Sequence, residues 1–308
     1  MHGIARRHLL MAAAVPAPGQ VTFRPPGTLV DTHVHLFSSD RARFPVHANS
    51  PYTPAPEPLE KYLEFVRQAR LDHTIIVHPE PYQDDHRYLA YCLEHEPSRG
   101  FFKGTCLFDP IHPATPARME ALVRKHPGRI VALRVHETQD AKLPPTTAGP
   151  IRDRDLNSPA MLAAWSKAHD LGLAIQMHFI PAYAPLIRAL AGQLRALPVL
   201  LDHLGRAAQG TAAQYEDVLR LADLPRVFMK FSGVSYSSSQ KSPFRDVQPL
   251  VRRIYQAFGP GRILWGGLGM DMTQFRRQVD VFEQMFAFAS EAARARIRGL
   301  NAVGLFGL

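Results

Sequence analysis

The five residues Asp31-Thr32-His33-Val34-His35 place two imidazoles two positions apart. On a strand, alternate side chains share a face, so His33 and His35 would project together. Two neutral imidazoles on one rigid segment are a start for a divalent-metal site. The pattern alone is weak, because 15 histidines in 308 residues make about one such pair expected by chance. Its weight comes from its place, directly after the apolar pair Leu29-Val30. His178 closes the run Leu173-Ala174-Ile175-Gln176-Met177, and His203 follows Val199-Leu200-Leu201-Asp202. A lone histidine at such a place is usually a satisfied polar group. Four of them on three apolar runs point to a shared site. Three of them would suffice to hold one divalent ion, zinc or alternatively manganese, with a fourth position open. Such a site lowers the pKa of bound water to about 7. The remaining histidine, with an ordinary pKa of about 6.5, would be free to carry the proton.

The elements that must position these residues alternate. Short apolar strand candidates occur at Leu29–His35, Thr74–His78, Gly104–Phe108, Ile130–Val135, Leu173–His178, Val199–His203, Val227–Phe231 and Arg262–Trp265. Helical spacing follows most of them, at Leu59–Arg70, Tyr88–His95, Ala117–Lys125, Pro159–Asp170, Pro185–Leu194, Tyr215–Leu221 and Thr273–Ala289, with a last helix from Glu291 into Leu305. Strand–helix alternation predicts parallel strands covered by helices, and eight such units close naturally into a (β/α)8 barrel. In that fold catalytic residues gather at the carboxyl ends of different strands. Two long irregular stretches, Ser38–Pro58 and Gln139–Pro159, follow strand candidates and are expected over the same mouth.

Composition bounds the rest. The chain is 46% hydrophobic and 20% charged, enough apolar material for a sizeable core. No apolar run approaches the roughly 18 residues a membrane-spanning helix needs, so no membrane role is expected. The net charge of +9 invites a nucleic-acid reading. The arginines are scattered singly along the chain, however, and a preference for a small anionic substrate fits them better. The two cysteines, Cys92 and Cys106, show no paired spacing and read as free buried thiols. Residues 1–27 form a leader in which Arg6-Arg7 precedes a short apolar run, and residues 28–308 form a single barrel domain. The leader reads as disordered in a cytoplasmic protein or, alternatively, as a twin-arginine-like signal for export to the periplasm. Homo-oligomerisation is left open.

The ordered series of motifs resembles the amidohydrolase-related ("amidohydrolase 2") family of metallo-dependent hydrolases from Val30 to Leu308. It comprises Asp31-Thr32-His33-Val34-His35, Pro79-Glu80-Pro81-Tyr82, Arg134, Gln176-Met177-His178, Asp202-His203-Leu204-Gly205-Arg206, Lys230-Phe231-Ser232-Gly233, Asn301-Ala302 and Leu305-Phe306-Gly307-Leu308. Within the family, the proline-rich loop following strand one and the Pro-Tyr turn following strand two are most similar to the dicarboxylate lactonase branch. The resemblance implies the barrel and a hydrolase, with His33, His35 and His178 as ligands of the divalent ion and His203 as proton carrier. It also supports Arg134, at the end of strand four, as the holder of a substrate carboxylate; Tyr82 and Tyr236, in the loops after strands two and seven, would add hydroxyl contacts. One position departs. The family's eighth strand ordinarily ends in an aspartate that binds metal and accepts a proton. Here Leu268 stands there, in Trp265-Gly266-Gly267-Leu268-Gly269-Met270-Asp271, and leucine does neither. Asp271 is the nearest carboxylate that would reach back; as the residue before Thr273 it equally suits a helix cap.

The function expected is hydrolysis of a small carboxylated lactone, or an amide, by metal-activated water, with Asp271 or His203 taking the proton. A metal-free lactonase with a relocated base, a decarboxylase, and a barrel that binds without catalysis are the alternatives.

Overall fold

The computed structural model describes residues 24–308; the expectation of a twin-arginine-like signal falls on a leader that lies almost wholly outside the described residues. Eight strands pair in parallel in chain order. They are β1 (Val30–Val34), β2 (His73–Ile76), β3 (Phe102–Cys106), β4 (Ile130–Glu137), β5 (Ala174–Phe179), β6 (Val199–Leu201), β7 (Val227–Phe231) and β8 (Ile263–Trp265). Side chains complete the closure of the barrel between its two ends. Thr32 Oγ1 donates to the Trp265 carbonyl at 2.7 Å, and Asp31 accepts from the Gly267 and Leu268 amides at 2.8 and 3.2 Å. Each strand candidate thus becomes a strand, with bounds shifted by a few residues.

The outer layer holds α1 (Leu59–Ala69), α2 (Arg87–Glu94), α3 (Thr115–Lys125), α4 (Pro159–Asp170), α5 (Ala184–Gln193), α6 (Ala212–Arg220), α7 (Gln248–Phe258) and α8 (Met272–Met285). Helix α7 is the one the sequence reading passed over. Its buried Val251, Ile254 and Phe258 carry clear helical spacing opposite the polar face of Arg252, Arg253 and Gln256. The expected final helix is broken into α9 (Glu291–Ala295), a π-turn over Arg296–Leu300 and α10 (Asn301–Phe306).

The core has two parts. The larger cluster lies between sheet and helices, with Trp165, Phe102, Phe179, Phe231 and Phe282 at 1% exposure or less. The smaller joins Val30, Ile75, Ala132, Ala174, Leu200, Phe228 and Leu264, one from nearly every strand, with Ala302 and Phe306 of α10. This is the apolar floor of the barrel. Because side chains alternate, residues two positions further along each strand share the same interior face. Above Ala132, Ala174, Leu200 and Phe228 stand Arg134, Gln176, Asp202 and Lys230, all buried. One more step brings His136 and His178.

Both long loops are tied down over this end. Phe37 and Glu57 bridge the first, and the Ser38 amide donates to Tyr82 Oη at 2.8 Å. In the second, buried Asp153 accepts from the Thr138 and Gln139 amides at 2.6 and 3.0 Å, while Arg154 pairs with Asp109 and Arg152 with Glu80.

Candidate active site

Asp202, fully buried, is the hub of the site. Gln176 Nε2 donates to both of its oxygens at 3.0 and 3.1 Å, Arg134 approaches Oδ2 at 3.3 Å, and Lys230 Nζ and His33 Nδ1 each lie 3.5 Å from Oδ1. Burial alone would raise its pKa; the surrounding Lys230 and Arg134 cations hold it well below the usual carboxylate range. Lys230 also donates to the Thr32 carbonyl at 2.7 Å and lies 3.0 Å from His33 Nδ1. Desolvation brings its pKa down to about 8 against the pull of Asp202, and the three acceptors around Nζ favour the ammonium form.

Asp202 and His203 both enter this site although they are neighbours, which a regular strand forbids. The backbone supplies the exception. His203, Leu204, Gly205 and Arg206 have φ of 56, 57, 67 and 50°, four consecutive left-handed residues. Each non-glycine residue there costs on the order of 1 kcal/mol, and such strain concentrates at functional sites. The turn sets the His203 ring 4.5 Å from that of His33 and swings Arg206 back over the mouth. His203 Nδ1 lies 3.0 Å from Ser232 Oγ, and the tautomer that donates there leaves the lone pair on Nε2. Burial lowers its pKa to about 4, with Arg134, Lys230 and Arg206 adding to the fall.

Arg206 NH1 donates to His178 Nε2 at 2.6 Å, and its guanidinium lies 4.6 Å from the Tyr236 ring centroid. It makes no ion pair with any described residue, and its buried Nε has no partner. Tyr236, 42% exposed, also faces His203, with ring centroids 5.2 Å apart. Beside this group, His136 Nδ1 lies 3.3 Å from His178 Nδ1 and 3.4 Å from Glu80 Oε2.

The predicted residues therefore separate. Among the described residues, the ligand-type atoms that lie within 4.8 Å of one another belong to His33, Asp202 and His203. His35 and His178 stand outside that cluster, so the expected triad of His33, His35 and His178 is not the set the barrel gathers. Hydrogen bonding gives the reason. His35 Nδ1 meets the Val77 carbonyl at 2.7 Å and must carry the proton, which turns its Nε2 lone pair toward Arg134 NH1 at 3.4 Å. A guanidinium only donates, so the His178 Nε2 lone pair is likewise committed to Arg206. His33 spends its Nδ1 lone pair on Lys230, and its Nε2 is buried without a partner. Three imidazoles thus spend their lone pairs on three fixed cations. A His/Asp cluster of metal-ligating type is present, but as arranged it does not fit a divalent ion.

Three other expectations are revised. Asp271 caps α8, accepting from the Thr273 and Gln274 amides at 2.8 Å each and from Gln274 Nε2 at 3.0 Å; its carboxylate is spent locally because the glycine-rich loop runs straight into the helix. Tyr82, at 2% exposure, braces the loop after β1 rather than lining the mouth. Arg134 is inward-facing as expected, yet Asp202 and His35 already engage it. In the sequence Asp202, Lys230 and Arg206 stand out only as letters of the motifs that carry the family resemblance. The signal for the first two was available: each lies two positions beyond an apolar floor residue. Cys92 and Cys106 are free and buried, with burial raising both thiols.

The amidohydrolase family model matches residues 30–308. The 4-sulfomuconolactone hydrolase of Rhizobium radiobacter is 28% identical over 80% of this chain and 77% of its own length. The L-fucono-1,5-lactonase of Burkholderia ambifaria is 25% identical over 80% of each chain. A zinc-bound amidohydrolase structure from Burkholderia multivorans superposes with a TM-score of 0.68 at 18% identity, covering 92% of this chain and 100% of the other, and shows the shared fold.

Proposed function

This chain belongs to the amidohydrolase family, and from that premise we propose that it hydrolyses a small lactone carrying two negative charges. The observation that carries this reading is Arg206, a guanidinium at the mouth that forms no ion pair with any carboxylate among the described residues. Deeper in, Arg134 and Lys230 share the single charge of Asp202, while Arg152 is matched by Glu80. The site thus holds about two positive charges in excess, which a dianionic substrate neutralises on entry. The two relatives named above are lactone hydrolases by name, one of them for a sulfonated lactone, and this supports the class of bond broken.

The chain's own residues supply each step. Arg206, braced by the Tyr236 ring, takes one anionic group in a fork of two hydrogen bonds. Neutral His203 accepts a proton from water at Nε2 as the water oxygen bonds to the lactone carbonyl carbon. The negative charge that develops on the carbonyl oxygen needs a donor, and His33 Nε2–H, unpartnered and neutral, is available for it. Cleavage of the ring C–O bond then regenerates the carbonyl, and His203 returns its proton to the departing alkoxide. The product is the ring-opened hydroxy acid, one water heavier than the lactone.

A pKa of about 4 makes free His203 a weak base. The bound dianion offsets the three cations that depress it and so moves it toward neutrality. Zinc or manganese, expected from the residue types, would find the lone pairs of His33, His35 and His178 already occupied by Lys230, Arg134 and Arg206. Asp202 orients the network without reacting.

The test is proton release at constant pH with matched lactones bearing no, one or two anionic groups. Turnover should rise with charge and fall by at least about a hundredfold in His203→Asn, the scale of a lost general base. Preference for uncharged lactones, or turnover confined to amides or to carbon dioxide release, would sink the reading.

A further inference from the structure

We propose that Lys230 is a built-in cation, holding among Thr32, His33 and Asp202 the place a divalent ion would take, so that the barrel takes up such an ion only when Lys230 is removed. The inference rests on the site described above and adds how that site is charged.

Four observations converge. Lys230 Nζ has three acceptors for its three protons: the Thr32 carbonyl at 2.7 Å, His33 Nδ1 at 3.0 Å and Asp202 Oδ1 at 3.5 Å. Two of these belong to the three side chains that form the metal-type cluster. Bonding from the ammonium to His33 Nδ1 places the imidazole proton on Nε2, which turns that atom from a ligand into a donor. Asp202, the one anion of the cluster, already takes Gln176 and Arg134 besides. Finally, Leu268, in the loop directly after β8, is fully buried in the apolar cluster and brings no carboxylate to the site. A dication would therefore join a buried cluster already carrying one excess positive charge, with no added anion to receive it.

The arrangement is economical in chemistry as well as charge. A cation tethered to β7 cannot leave the site, and it holds His33 in the tautomer that presents Nε2–H. The cation acts through His33, so Lys230 is a positioning residue rather than a catalytic one.

The experiment is zinc binding by calorimetry and by elemental analysis after dialysis against zinc chloride, without substrate, on wild type, Lys230→Met and Lys230→Met/His33→Ala. Methionine keeps the length and removes the charge. Wild type should take up far less than one zinc per chain by this cluster. Lys230→Met should gain at least about a hundredfold in zinc affinity, as expected from relieving a unit charge against a double charge a few ångströms away. The double variant should lose that gain. Stoichiometric zinc in wild type that disappears in His33→Ala overturns the proposal, as does a Lys230→Met affinity equal to wild type. If Lys230→Met does not fold, the wild-type and His33→Ala titrations decide alone. The readout is metal uptake, so a failure here is distinguishable from a failure to turn over lactones.

Discussion

The Cα of Gly233 lies so close to the His203 ring that a Cβ built there would come 2.5 Å from Nδ1 and 2.9 Å from Tyr236 Cδ2. Gly233 also has φ of +50°, in the left-handed region where side chains are disfavoured. Space and backbone conformation thus demand the same residue directly after Ser232, the hydrogen-bond partner of His203.

Gly233→Ala should therefore displace His203 rather than the substrate groups. We expect kcat to fall by at least about tenfold with KM changed little, and stability to fall by roughly 1–2 kcal/mol from the left-handed strain. Steady-state kinetics and denaturant unfolding check the pair of effects. A raised KM with unchanged kcat would mean that His203 is not the group affected.

Arg206→Gln removes the unanswered charge and keeps a hydrogen-bonding side chain. With a dianionic lactone KM should rise by about 10–100-fold, the range for a lost charge-assisted interaction. An uncharged lactone should show almost no change. Equal losses on both would assign Arg206 to the structure of the left-handed turn.

The base assigned to His203 sets the acid side of the pH profile. The proton acceptor must be neutral, so rate falls as pH falls through its pKa. For the free enzyme, kcat/KM should break near about pH 4. In the complex the dianion raises that pKa, so the break in kcat should lie at higher pH. A single coincident break would remove the electrostatic link between substrate and base.

Stability should follow the same buried imidazoles. Burial lowers the pKa of His33, His35, His78, His86, His136, His178 and His203, the second to about 3 and His78 and His203 to about 4. Unfolded histidine near 6.5 then binds protons that the folded chain refuses, so stability is full above about pH 6.5 and is lost as pH falls from there toward 4. Glu137, raised to about 9 by burial and by Asp153, pulls the other way by one proton across part of that range. Each net proton is worth about 1.4 kcal/mol per pH unit, so denaturation midpoints measured at pH 7, 6 and 5 should drop steeply. A flat series would contradict the burial of these rings.

Leu268→Asp puts back the residue type the resemblance leads one to expect. Leu268 is buried in the apolar cluster, and its amide donates to Asp31, a carboxylate whose own pKa burial already raises. A second carboxylate beside it has no described cation pointed at it. Loss of leucine packing and burial of an acid should cost more than about 3 kcal/mol, and activity should fall. Increased activity would show that the leucine is a lesion in an otherwise ordinary site.

Much of the barrel was legible because periodicity is local: eight apolar runs, each followed by helical spacing, are counted without knowing where they meet. Helix α7 carries the same local signal in Val251, Ile254 and Phe258, so it was as legible as the helices that the spacing did predict. Of the site, His33, His203, Arg134 and Tyr236 were found as residue types at strand ends or in the loops beyond. Asp202 was passed over because strand alternation sends it and His203 to opposite faces, and only four successive left-handed residues bring both inside.

The amino-acid sequence by itself determined the eightfold alternation, the histidines at the strand ends and the leucine at position 268, since each depends on neighbours in the chain. The tertiary structure alone decided which atoms those histidines meet. Lys230, Arg134 and Arg206 come from three different strands or turns, and the lone pair each one occupies follows from the hydrogen bond made by the other nitrogen of the ring or from the nearness of the cation itself. That choice between a metal's ligands and a cation's acceptors is made by distances of about 3 Å between segments up to 198 residues apart, which no spacing along the chain encodes.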